Sequence, residues 1–142
     1  MLKTNVNQEI KLVVLSLEKL SELSIETMQK YDTIAIDEAQ FFPDLFEHVI
    51  LYVNKYKKRV LVAGLDGDSD QRNFGEIYKL IPWADKIEKI CGFCQVCSEK
   101  NPRLMVEAPF TYLKLKKENV ILIGSDIYQT LCRECLIHSQ TS

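Results

Sequence analysis

Glycine is scarce in this 142-residue chain, with only five residues, all of them beyond position 63. A Gly-x-x-x-x-Gly-Lys-Ser/Thr loop, whose backbone amides and lysine cradle phosphates, occurs nowhere in the sequence. Cysteine is missing from the first 90 residues and then crowds in as Cys91, Cys94, Cys97, Cys132 and Cys135. That clustering fits metal ligation in a reducing compartment better than a disulfide framework. No apolar run approaches the roughly 18 residues of a membrane span, and the first eight residues lack the apolar block of a signal peptide. Basic residues do not predominate either: 18 Lys and Arg stand against 20 Asp and Glu, for a net charge of −2. A chain without a basic stripe is not built to track a nucleic-acid backbone. The expectation is a cytoplasmic protein with neither a membrane nor nucleic acid as partner.

What is present is enough apolar residue, 46% of the chain, to bury one real core. Its organising stretch is Asp32-Thr-Ile-Ala-Ile-Asp-Glu-Ala-Gln-Phe-Phe42. Ile34, Ala35 and Ile36 read as a strand buried on both faces, which stops on Asp37 and Glu38. Ligands of open parallel α/β sheets bind outside the carboxyl ends of the strands, so these acids suit a metal and a general base. The plain alternative is that they cap the next helix, where acids meet the positive end of the macrodipole.

In chain order, Ile10 to Leu15 reads as a short strand, and Leu17, Leu20, Leu23 and Ile25 open a helical pattern running to about Lys30. After the organising strand, Pro43 suits the first position of a helix whose apolar face is Leu45, Phe46, Val49, Ile50 and Val53. The basic cluster Lys55, Lys57, Lys58 and Arg59 reads as solvated charge at its end, and His48 as a packed or surface residue rather than a ligand. Val60 to Leu65 is a second apolar strand that ends on Asp66-Gly-Asp-Ser-Asp70. Strand, helix and strand make a right-handed βαβ unit, with both acidic strand ends on one crevice. A short amphipathic helix follows to Pro82, with Phe74 read as core in preference to a ring offered to ligand. Lys86 to Ile90 alternates like a strand, and Asn119 to Ile123 reads as another, stopped at Gly124.

Two Cys-x-x-Cys knuckles separated by a long loop bring four thiolates around one tetrahedral zinc. Spacing leaves Cys91–Cys94 and Cys94–Cys97 equally open as the first knuckle. Four thiolates leave no position for water or substrate, so such a zinc is structural and clasps the loop from Ser98 to Leu131. A loop that long is usually functional, and here it reads as a lid over the acidic crevice, with Gly124 allowing close backbone approach and Tyr128 within reach.

The stretches Ile-Asp-Glu-Ala-Gln-Phe-Phe-Pro-Asp (36 to 44), Ala-Gly-Leu-Asp-Gly-Asp (63 to 68), Phe74-Gly75, Leu-Ile-Pro (80 to 82), both cysteine pairs and Ile-Gly-Ser-Asp-Ile-Tyr (123 to 128) resemble, in this order, type II thymidine kinase. The resemblance covers about residues 31 to 137. It implies an α/β fold with a P-loop-kinase-like parallel sheet, truncated at its N-terminus, and a C-terminal four-cysteine zinc lasso, divided as residues 1–90 and 91–142. It implies transfer of the γ-phosphoryl of ATP to the thymidine 5′-hydroxyl, for nucleoside salvage and DNA precursor synthesis. Glu38 then matches the general base and Asp37 the magnesium-holding acid, with Asp37, Glu38, Ala39 and Gln40 forming the ATP–magnesium side. Phe41, Leu65, Ser69, Phe74 and Tyr128 match nucleoside-pocket positions. Thr111 and the backbone of Asn119, Val120, Ile121, Leu122, Ile123 and Gly124 match the lasso that reads the base. The same alignment makes Cys94, Cys97, Cys132 and Cys135 the zinc ligands, leaves Cys91 over, and implies a homo-oligomer, commonly a tetramer.

The sequence also departs from the family. The phosphate loop is missing, Ser69 stands where relatives carry an aromatic ring, Ile123 replaces a glycine and Leu113 a basic residue. Two other classes therefore stay open. One is a non-catalytic remnant or binding module of the same fold. The other is a helicase-type P-loop ATPase fragment with a zinc ribbon, since Asp37-Glu-Ala-Gln40 also resembles the strand end of those motors, though it calls for a basic, aromatic surface.

Overall fold

A computed structural model describes residues 2–3, 9–10, 12–114 and 127–141. The fold class is mixed α/β, as the sequence leads one to expect. Strands β1 (Leu2–Lys3) and β2 (Glu9–Ile10) form a short antiparallel pair. The expected strand over Ile10–Leu15 is not formed at Leu12–Leu15, and residues 12–17 carry no regular structure, with Val14 86% exposed. An apolar run predicts a strand only where a neighbour supplies hydrogen bonds, and none is provided at Leu12–Leu15 among the described residues.

The expected helix to Lys30 is broken in two. A 3-10 turn spans Leu20–Glu22, and helix α1 spans Ile25–Gln29. Ser24 adopts extended backbone between them and accepts the Thr27 N–H on its Oγ, so the helix begins there rather than at Leu17.

Strand β3 (Thr33–Ile36), helix α2 (Leu45–Asn54) and strand β4 (Arg59–Val62) form the βαβ unit, with β3 and β4 parallel and Thr33 opposite Arg59, Ile36 opposite Val62. Period-two alternation sends Ile34, Ile36, Val60 and Val62 to one face, where Leu45, Val49 and Tyr52 of α2 and Leu80 of helix α3 (Ile77–Leu80) pack on them. Each fully buried leucine here contributes roughly 1.5–3 kcal/mol. The organising strand is not buried on both faces as expected: Ala35 and Leu61 point away from the helices and are exposed. The described helical layer covers a single face of the pair.

Asp44, at the head of α2, accepts the Leu20 and Ser21 N–H groups at 3.0 and 2.9 Å, and the buried Tyr52 hydroxyl donates to the Leu20 carbonyl at 2.9 Å. His48 is a packed residue, its Nδ1 3.0 Å from the Asp44 carbonyl. Residues 84–90, where Lys86–Ile90 reads as a strand, are irregular and exposed, with Ile90 at 85%. Alternation there has no sheet to join.

A second apolar cluster follows, built on Cys94, Ala108, Leu131, Cys132 and Leu136. Strand β5 (Gly92–Phe93) pairs antiparallel with β6 (Glu107–Ala108), and β7 (Phe110–Leu113) with β8 (Tyr128–Leu131). Helices α4 (Gln95–Lys100) and α5 (Arg133–Thr141) each begin directly after the first cysteine of a knuckle and carry its second, Cys97 and Cys135. The expected strand at Asn119–Ile123 lies outside the described residues. No helix among the described residues is long and apolar enough to cross a membrane.

Candidate active site and metal centre

The chain turns sharply where β3 ends. Glu38 adopts φ +50°, ψ +40°, left-handed backbone that an L-residue enters at a cost of about 1 kcal/mol. Neighbouring bonds hold it there. Its N–H meets Asp37 Oδ1 at 2.9 Å, and the next N–H, of Ala39, donates to the Ala63 carbonyl at 3.0 Å, tying the turn to the end of β4. Both carboxylates stay exposed, while Ala39 and Gln40 are buried beneath them. The Glu38 carboxylate does not serve as a helix cap: Glu38 stands at the head of the three-residue 3-10 turn Ala39–Phe41 and makes no side-chain cap bond to it.

Gln40 organises the floor. Its Nε2 donates to Glu38 Oε2 at 2.6 Å, and its Oε1 accepts the Leu65 N–H at 3.0 Å. Two glycines make room for it. A Cβ on Gly64 would strike the Gln40 side chain and Ala39 N, and one on Gly75, at φ +62°, would penetrate the Gln40 carbonyl. Gly75 in turn places Phe74 edge-on to Phe41, with ring centroids 5.5 Å apart. Phe74 is half-buried, intermediate between the core residue and the ligand-facing ring, whereas Phe41 is 65% exposed beside the acids. Asp37, Glu38, Ala39, Gln40, Phe41, Leu65 and Phe74 thus form one connected group.

The loop after β4 closes on itself. Asp68 Oδ1 accepts the Asp70 and Arg72 N–H groups, both at 2.9 Å, and Arg72 pairs with the Asp68 and Asp70 carboxylates. These bonds, led by the Arg72 backbone N–H, pull the Asp68 carboxyl below its usual range despite slight desolvation. Gln71, which the sequence did not single out, donates from Nε2 to the carbonyls of Ser69 and Thr111, both at 3.0 Å. Thr111 lies on β7, and Tyr128 stands on the adjacent β8 opposite Leu113, 40% exposed. The base-reading stretch Asn119–Gly124 lies outside the described residues. Little in the sequence marks Gln71, because its partners outside the loop, Thr111 and Gln140, are 40 and 69 residues away.

In the second cluster, the ligand atoms of Cys94, Cys97, Cys132 and Cys135 all lie within 4.8 Å of one another. Cys97 Sγ is 3.9 Å from Cys132 Sγ and 3.7 Å from Cys135 Sγ. A ZnS4 tetrahedron with bonds of about 2.3 Å has edges of about 3.8 Å, so the four sulfurs are placed to hold zinc. Cys91 is not one of the four, which resolves the choice that spacing left open. Burial pushes the Cys94 thiol up, but N–H donors at Cys132 and Cys97 and neighbouring thiols outweigh it and bring it down to about 7. Burial and three neighbouring thiols push Cys135 up to about 12. Cys94 ionises readily while Cys97 and Cys135 resist, the pattern of a cluster that needs a cation to become fully thiolate.

The fold and site define an α/β domain with a paired-acid strand end and an attached four-cysteine metal-binding unit. A family model described as Thymidine kinase matches residues 2–136. The chain is 37% identical over 120 residues to a thymidine kinase of Oryza sativa subsp. japonica, covering 84% of this chain and 42% of that protein. It is 40% identical over 114 residues to thymidine kinase a of Arabidopsis thaliana, covering 80% and 45%. Against the thymidine kinase of Monkeypox virus it is 36% identical over 126 residues, covering 88% and 66%. The chain belongs to the thymidine kinase family. It spans less than half the length of the two plant relatives.

Proposed function

We propose that this chain carries the acceptor side of a thymidine kinase, which transfers the γ-phosphoryl of ATP to the 5′-hydroxyl of thymidine. The observation that carries the reading is the strand-end turn, where Gln40 ties down one oxygen of the exposed Glu38 carboxylate at 2.6 Å in a chain of this family. Phosphoryl transfer asks mainly for alignment and charge neutralisation, plus a group to take the hydroxyl proton. Glu38 Oε1 takes that proton, while Oε2 is held by Gln40. Asp37 holds magnesium, which when bound neutralises phosphate charge. Ala39 and Gln40 complete the ATP–magnesium side.

Phe41, Leu65, Ser69, Phe74, Thr111 and Tyr128 wall the nucleoside, and the backbone from Asn119 to Gly124 reads the base. The Phe41 ring, exposed and braced by Phe74, is a stacking surface of the kind a planar base requires. Zinc on the four cysteines is structural and stiffens the unit that bears Thr111 and Tyr128. We assign residues 1–90 to the kinase core and 91–142 to the zinc unit, and the protein to the cytoplasm as a homo-oligomer serving nucleoside salvage.

The test is thymidine-dependent ATP turnover by the purified chain carrying one zinc. Glu38→Gln should abolish turnover with fold and zinc content intact, and retained turnover in that variant would sink the general-base role. Thymidine binding without turnover would make the chain a binding module of this fold; absence of both would overturn the reading.

A further inference from the structure

We propose that Gln71 is a positioning residue, the clasp that sets the zinc unit against the loop after β4 and so fixes the distance between Ser69 and Thr111. The two apolar clusters of the molecule share no residue: one draws on Leu20 to Leu80, the other on Cys94 to Leu136. The stretch that joins them, residues 84–90, is exposed and irregular. Among the described residues the two clusters share no buried residue, so their placement draws on polar links, one of them from Lys89 Nζ in the joining stretch to Asp66 Oδ2 at 2.7 Å.

Gln71 supplies two such links from one side chain. Its Nε2 has two N–H donors, and both are used, on the carbonyls of Ser69 and Thr111 at 3.0 Å each. Its Oε1 accepts from Gln140 Nε2 of α5 at 2.9 Å. The orientation of the amide is dictated by these partners, since two carbonyls can only accept and so require the nitrogen. One planar amide thus spans the loop, strand β7 and helix α5. The loop presents it firmly: Asp68 takes the N–H groups on both sides of Gln71, and the Gln71 N–H itself donates to the Asp68 carbonyl at 3.0 Å.

The functional consequence rests on the kinase reading above, in which Ser69 and Thr111 both wall the nucleoside pocket. A pocket assembled from two separately cored units binds well only if their spacing is set before the ligand arrives, because otherwise binding must supply the ordering. Gln71 sets that spacing through main-chain carbonyls, so it is indifferent to the side chains at either wall. That suits a chain whose loop carries Ser69 rather than a bulky ring, where packing cannot do the same.

The experiment uses the full zinc-loaded chain and three substitutions. Gln71→Ala removes all three side-chain bonds of Gln71, Gln71→Glu keeps an acceptor for Gln140 but loses both donors, and Gln71→Arg keeps donors for the two carbonyls. Thymidine affinity is read by calorimetry, module coupling by backbone 15N relaxation, and folding by zinc content and circular dichroism. The Ala and Glu variants should bind thymidine roughly 3- to 10-fold more weakly, the range for exposed hydrogen bonds lost as a set. Their two units should tumble with separate correlation times, while Gln71→Arg stays close to the parent in both readouts. Where turnover is measurable, KM for thymidine should rise with kcat unchanged. A single correlation time in Gln71→Ala overturns the clasp, and separate tumbling with unchanged affinity overturns its positioning role. Should the parent chain fail to bind thymidine, the kinase reading fails by that result alone, and relaxation still decides whether Gln71 couples the units.

Discussion

The Gln40 side chain joins the ends of two parallel strands: it donates to Glu38 Oε2 at 2.6 Å and accepts the Leu65 N–H at 3.0 Å. A single buried amide thereby holds a carboxylate of the acid pair and the first residues of the loop after β4 in one frame.

Gln40→Ala removes both bonds from a residue only 4% exposed, leaving the Leu65 N–H without its partner. The expected cost is about 2–3 kcal/mol, read as a lower urea midpoint. Zinc content should not change, because the cysteines belong to the other apolar cluster.

Gly75→Ala places a methyl group into the Gln40 backbone and holds a non-glycine residue at φ +62°. Both effects are unfavourable, and the backbone cannot withdraw without moving Gln40. A loss of roughly 2–4 kcal/mol is expected in equilibrium denaturation, larger than for Gly67→Ala, where a Cβ would meet its nearest atom at 3.6 Å.

Cys91→Ser should retain one zinc per chain by elemental analysis, whereas Cys97→Ser should lose it, because Cys97 Sγ sits 3.7 and 3.9 Å from two other sulfurs of the cluster. Zinc affinity should fall as pH falls, since protons compete for the thiolates. A chelator should loosen the α4–β8–α5 region first, visible as faster amide exchange there than in α2.

Tyr52 sets an alkaline limit. Burial first, and then the Asp44 charge, raise its phenol from 10.0 to about 12. A raised pKa in the folded state means that its contribution is complete below about pH 10 and is lost as pH rises through about 12. Linkage over that shift amounts to about 2–3 kcal/mol. Tyr52→Phe should be about 1 kcal/mol less stable than the parent at pH 8, for want of the bond to the Leu20 carbonyl. The gap should close near about pH 11 and reverse above it, because the linkage loss of the parent passes about 1 kcal/mol well before pH 12, as measured by urea midpoints.

Two kinds of signal were legible in the residues. Asp37 and Glu38 stood out because an apolar strand that stops on adjacent acids places them by local chain geometry, and the Cys-x-x-Cys pairs because two residues between thiols suffice to turn them to one side. The strands expected at Leu12–Leu15 and Lys86–Ile90 failed for the opposite reason. Alternation and apolar character are necessary for a strand, but the hydrogen-bonding neighbour is contributed by chain far away or not at all.

The sequence by itself determined the βαβ unit, the acids at its strand end and a four-sulfur centre, because each strand end and each Cys-x-x-Cys pair is marked by residues a few positions apart. Tertiary structure alone decided that Glu38 takes left-handed backbone over a buried Gln40 and that Gln71 bridges the two apolar clusters, and it settled for Cys97 over Cys91 the choice that spacing left open. The Gln40–Leu65, Gln71–Thr111 and Gln71–Gln140 bonds close over separations of 25, 40 and 69 residues, and a separation that long leaves no period or spacing to read.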